Sequence, residues 1–118
     1  MGITSTFRLT KRVAGAPREF DLDKAAFELW QGLDALGLPG LRIVHGDDGK
    51  VSAADAERFH AQLSALSFER FWKAFCGTDL GKDADNDVRA FLEEYFPVLK
   101  AAYAAAMKGK CGLTVDQG

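Results

Sequence analysis

The chain opens on a two-residue alternation and then changes to a helical period. In "GITSTFRLT", Ile3, Ser5, Phe7 and Leu9 alternate with threonines and Arg8, as in a strand. "KRVAGAPREF" carries Gly15 and Pro17 and reads as a connection. Within "DLDKAAFELWQGLDALGLPG", Leu22, Ala26, Leu29, Trp30, Leu33 and Leu36 recur at helical spacing. Asp21 is placed to cap that helix, and Gly37 with Pro39 to end it. Leu41, Ile43 and Val44 then predict a short strand, followed by a tight turn at Asp48-Gly49.

Further along, Ser52 stands three residues before Asp55, so hydroxyl and carboxylate can each satisfy a free backbone N–H at a helix start. Ala56, Phe59, Leu63 and Leu66 continue the stripe, and Ser67 caps a shorter helix, "FERFWKAFC". Val88, Phe91, Leu92, Tyr95, Phe96, Leu99, Ala102, Tyr103 and Ala106 hold a 3.6-residue period in the last and longest helix. Pro97 interrupts its hydrogen-bond ladder, which predicts a kink or two abutting helices. Gly109 is read as its stop, and "CGLTV" as a closing strand. The sum is an α+β fold: a small sheet with strands near 3–9, 41–45 and 112–116. About four helices, near 21–36, 52–66, 68–76 and 86–108, pack on it.

Composition narrows the function classes. One domain over 1–118 suits the length. With 47% hydrophobic and 27% charged residues, and a formal net charge of −2, nothing suggests disorder or a nucleic-acid face. Arg8, Lys11, Arg12 and Arg18 read as a solvated edge. No apolar run is long enough to span a bilayer, and the N-terminus lacks the apolar core of a secretory signal. Gly2 and Thr6 fit a loose myristoylation pattern, but the same residues read as strand. Cys76 and Cys111 stand far apart and read as free thiols of a cytoplasmic protein.

Candidate chemistry is sparse. "KDADNDVRAFLEEYF" alternates Asp83, Asp85 and Asp87, with Glu94 twelfth from Asp83, like a calcium loop. Its sixth position is Val88 where the bend calls for glycine, so the acids read as the start of a helix. "HGDDGKVSAAD" places Val44 and Gly46 where the first and third ligands belong. "GTDLGKDAD" is one residue too short for a phosphate loop, and its aspartates would repel phosphate. His45 beside Asp47 reads as polar surface rather than part of a metal site. No nucleophile sits in a recognisable turn beside either His45 or His60, and no metal or cofactor is expected. Trp30, Trp72, Tyr95 and Tyr103 read first as core and second as pocket lining.

Several segments together resemble the YfbM-like family, small bacterial proteins of unknown function. "FDLDKAAFELWQGLDALGL" is similar to that family's helix with a Leu/Ile-Asp-Lys motif, here Leu22, Asp23 and Lys24, although Trp30 is displaced from the usual place. "VSAADAERFHAQLSALSFERFWKAF" resembles its paired helices, and "FLEEYFPVLKAAYAAAMKGKCGLTV" its aromatic-rich helix, glycine and final strand. The chain departs from the family in lacking a helix after the first strand and a segment before the final helix. The resemblance brings no active site to carry over.

These observations lead to a cytosolic, non-enzymatic module that binds a partner protein, of immunity or regulatory type. The alternative is a small-molecule binder or enzyme with its pocket between the Trp30 helix and the C-terminal helix, using Asp23, Lys24, Trp30, His60 and Tyr103. A third reading, a calcium-responsive protein, predicts a thermal shift with Ca²⁺ that EDTA reverses.

Overall fold

Alternation at the start of the chain forms β1 (Ser5–Leu9), which turns Ser5, Phe7 and Leu9 inward and Arg8 outward. The computed structural model describes residues 4–117, so Gly2 of the lipidation pattern and Ile3 of the expected strand lie outside the described residues. A second strand, β2 (Glu19–Asp23), follows where the sequence reads as a connection and the first turn of a helix. Phe20 and Leu22 are buried while Glu19 and Asp21 face out, a two-residue period. Leu22 and Ala26, four apart, had fitted a helix equally well. Asp21 therefore caps nothing; its carboxylate accepts from the Asp23 N–H at 2.7 Å.

Helix α1 (Ala26–Ala35) leads to α2 (Gly40–His45), which overturns the strand expected at 41–45. Ile43 and Val44 are adjacent and both buried, which one helical face allows and a strand on an open sheet does not. Tertiary packing here outweighs the β preference of two branched side chains. A two-residue strand, β3 (Lys50–Val51), precedes α3 (Ala53–Ser64) and α4 (Phe68–Cys76). Ser52 and Ser67 cap these helices, accepting from the N–H of Asp55 and Arg70. The Asp55 carboxylate does not reach back to Ser52; it bonds Arg42 and Arg58.

The acidic stretch before the last helix behaves as a cap. Asp85 Oδ1 accepts from the Val88 N–H at 3.0 Å at the start of α5 (Asn86–Gly109). That helix runs through Pro97 as one element. Gly109 is its last helical residue, and Lys110 takes the left-handed C-cap conformation. Glycine is needed at 109 for another reason: a Cβ there would lie 2.3 Å from Val13 Cγ2. The chain closes with β4 (Leu113–Gln117).

The antiparallel sheet has the order β2-β1-β4-β3, with β4 returning beside β1. Phe7, Phe20 and Val115 stand in register on the inner face, and Thr6, Asp21 and Asp116 on the outer. The helices cover the inner face around one apolar core that runs from Phe7 and Leu22 to Phe96 and Tyr103. Among the described residues, four strands and five helices make a single α+β unit. No helix there is long and apolar enough to cross a membrane.

Candidate functional site

The sheet ends on one side at Ser5, Asp23 and Gln117, which are neighbours in register. At this end β2 breaks sharply into α1. A register shift falls between Ser5 and Thr6, Asp23 sits at φ 50, and the Ala25 N–H donates to Leu22 O at 3.0 Å. Lys24 comes to lie beside the first turn of α1. Facing it, α2 ends at His45 and the chain enters a tight hairpin. Asp48 and Gly49, with φ 53 and 76, form its centre, a geometry that suits an Asp-Gly pair. The Val115 N–H donates to Gly49 O at 2.7 Å and ties the hairpin to β4. Gly46 sits at φ 69, and a Cβ there would meet Lys50 O at 2.6 Å.

Between these walls is an open cleft of about 810 Å³. Ser5 and Val115 line it from the sheet; Lys24, Phe27 and Glu28 from the α1 side; His45, Asp48 and Gly49 from the hairpin side; Gln117 from the end of β4. Two of its lining residues each carry a buried polar atom without a partner among the described residues: Ser5 Oγ, in a residue that is 0% exposed, and Glu28 Oε2. An unpaired buried polar atom costs about 1–3 kcal/mol, so each needs a reason. The start of α1 adds a third feature. Its N-cap is Ala25, which has no side-chain acceptor, so its first-turn amides lack the cap that Ser52, Ser67 and Asp85 give α3, α4 and α5.

The Ser5 hydroxyl gives a direct prediction. Ser5→Ala removes an unpaired buried donor and acceptor, and is expected to raise the unfolding free energy by roughly 1–2 kcal/mol in urea denaturation. A loss of stability would mean that the hydroxyl is satisfied in solution.

His45 contacts Gln117 through Nδ1. Partial burial lowers its pKa from the ordinary 6.5. The folded state thus releases this proton more readily than the unfolded chain. The associated stability is fully present above about 6.5 and is lost as pH falls through the window between the unfolded and folded pKa values. An NMR titration is expected to place the His45 midpoint below 6.5, and His45→Gln to reduce the loss of stability between pH 7 and 5. A midpoint above 6.5 would contradict the desolvation argument.

The five residues expected to form a pocket separate into different surroundings. Asp23 is half-buried and accepts from the Tyr95 hydroxyl at 3.2 Å. Neither it nor Lys24 caps α1; Lys24 alone of the five lines the cleft. Trp30 is half-buried against the core, edge-on to Phe27 at 5.4 Å. His60 lines a second, apolar groove of about 500 Å³ between α3 and α5, with Phe96, Pro97 and Lys100. Tyr103 is fully buried; its hydroxyl donates to Ile43 O at 2.5 Å, and burial pushes its pKa well above the ordinary value, so it remains a donor. Two of the basic residues near the start have local partners: Arg8 pairs with Glu19, and Arg18 Nε donates to Leu9 O at 2.8 Å. Cys76 is half-buried, Cys111 is buried, and both are free.

Ser5, Glu28, His45, Asp48 and Gln117 were missed as a set. Ser5 had a readable signal, a polar residue on the inward side of an apolar alternation. The others converge only through the sheet register and the hairpin. Among the described residues, no group of three or more His, Cys, Asp or Glu is placed to hold a metal ion.

Fold and cleft together define an α+β protein whose helices cover one face of an antiparallel sheet, with a polar recess at the end of that sheet. The chain matches no family model, no curated protein and no solved structure.

Proposed function

We propose that this protein binds a small molecule in the cleft between the start of α1 and the Asp48-Gly49 hairpin. One observation carries the reading: Ser5 and Glu28, two residues that line the same concavity, each hold a buried side-chain oxygen without a partner among the described residues, Oγ and Oε2. Leaving both unpaired is costly unless something supplies their hydrogen bonds. The apolar sides of Phe27 and Val115 give such a ligand a surface to lie against. The pocket therefore differs in place from the one expected between the Trp30 helix and the C-terminal helix, although Lys24 belongs to both.

The test is a thermal-shift screen of polar fragments against the wild type and Gln117→Trp, an exposed position in the lining whose indole would obstruct the cleft. Fragments that stabilise the wild type are expected to lose their effect on the variant. Stabilisation equal in both proteins would remove the proposal.

A second reading is the protein-binding module, of immunity or regulatory type and cytosolic. It is supported by the outer face of the sheet, where Arg8, Glu19, Asp21 and Asp116 stand exposed. Kinship with the YfbM-like family is part of our proposal as well. Its support is the order of segments: a first strand, Asp23-Lys24 ahead of a Trp-containing helix, two serine-capped helices, and a long aromatic helix followed by a strand.

A further inference from the structure

The charges around the cleft narrow its ligand. The α1 side presents Lys24 together with the first-turn amides of a ten-residue helix that has no side-chain cap. A helix start of this kind carries partial positive charge and free N–H donors, which favour a carboxylate or another anion. Ser5 lines the same cleft, and its buried, unpaired hydroxyl can donate to that anion once a small side-chain adjustment uncovers it.

A purely anionic ligand would meet repulsion. Glu28 and Asp48 also line the cleft, and Glu28 Oε2 is buried without a partner. The usual task of an acid in this position, reaching back to the N-cap N–H, is taken: Ala25 N–H donates to Leu22 O. Lys24 and Glu28 are four residues apart on one side of the cleft, yet no ion pair joins them among the described residues. Cation and anion are each left free for a ligand. A purely cationic ligand would in turn face Lys24 and the helix start.

Resting on the small-molecule reading above, we infer that the cleft takes a small zwitterion, a free α-amino acid with an apolar side chain. Its carboxylate lies at the α1 start, with Lys24 and the Ser5 hydroxyl. Its ammonium lies toward Glu28 and Asp48, and its side chain against Phe27 and Val115. The binding is non-covalent, and no bond is made or broken.

L-Phenylalanine, 3-phenylpropanoate and 2-phenylethylamine share a ring and differ in charge, so calorimetric titration of the three separates the contributions. L-Phenylalanine is expected to bind at least about tenfold more tightly than either one-charge analogue. Glu28→Gln is expected to bring L-phenylalanine down to the level of 3-phenylpropanoate, and Lys24→Ala to that of 2-phenylethylamine. An analogue binding as tightly as L-phenylalanine would overturn the inference and leave the small-molecule reading standing. So would an absence of heat with all three while other fragments still bind the cleft. If none of the three binds and the fragment screen also fails, both fall.

Discussion

Tyr103→Ala is expected to lower the unfolding free energy by about 3–5 kcal/mol, a large share of what a domain of this size has. The ring is 0% exposed and meets Phe7 and Phe59 edge-on, each with centroids 6.0 Å apart. Its loss opens a cavity between the sheet, α3 and α5 that neighbouring side chains fill only in part. The hydroxyl adds a second cost. Ile43 lies in the last turn of α2, where a carbonyl has no partner within the helix, and Tyr103 supplies one. Tyr103→Phe keeps the ring and is expected to cost about 1–3 kcal/mol for that orphaned carbonyl. Urea denaturation of both variants separates the terms. A neutral Tyr103→Phe would show that water reaches Ile43 O.

The second large effect concerns the contact of α1 with α4. Phe71 is fully buried, near-parallel to Phe75 at 6.2 Å and 5.0 Å from Phe96. Its ring lies over Gly32, where a Cβ would be 2.4 Å from Phe71 Cε1. Phe71→Ala is expected to cost about 3–5 kcal/mol through the cavity it leaves. Gly32→Ala in the wild type sets a gain of about 1 kcal/mol in helix propensity against overpacking of about 1–3 kcal/mol, and is expected to destabilise. In the Phe71→Ala background the obstruction is gone, and the same change is expected to stabilise by up to about 1 kcal/mol. The double-mutant cycle thus predicts a coupling of about 2 kcal/mol. Equal effects of Gly32→Ala in both backgrounds would contradict the packing described.

Much of the helical architecture was legible because caps and periodicity agreed. Ser52 and Ser67 cap where their spacing indicates, and α4 and α5 start where the pattern starts. The calcium-like spacing dissolved for a reason visible in the chain, since Val88 and Phe91 already belong to the helical stripe. Two elements were misread where a short segment satisfies two periods. Leu22 fits both the alternation with Phe20 and the helical step to Ala26. Ile43 and Val44 have branched side chains, yet sit on one helical face. The partners that settle these cases lie outside each segment's own pattern: β1 for β2, and Tyr103, 60 residues from Ile43, for α2.

The candidate site was less legible. Lys24 belongs to the cleft, but Tyr103 and Trp30 belong to packing, and His60 faces another groove. Aromatic residues attract attention in a sequence, whereas the polar lining includes a serine in a strand and a glutamate in a helix. Ser5 and Glu28 come to line one cleft only because β2 folds back on β1 and turns into α1.

Binding of a small molecule in the cleft at the end of the sheet is our proposal. Its most direct test is an amide ¹H–¹⁵N titration of the intact chain with L-phenylalanine and with the fragments that pass the thermal screen. Saturable shifts are expected at Phe27, Glu28, Gly46 and Gly49, with the α3–α5 groove unmoved. Shifts gathered instead at His60, Ser64, Lys100 and Ala101, or none at all, would contradict it.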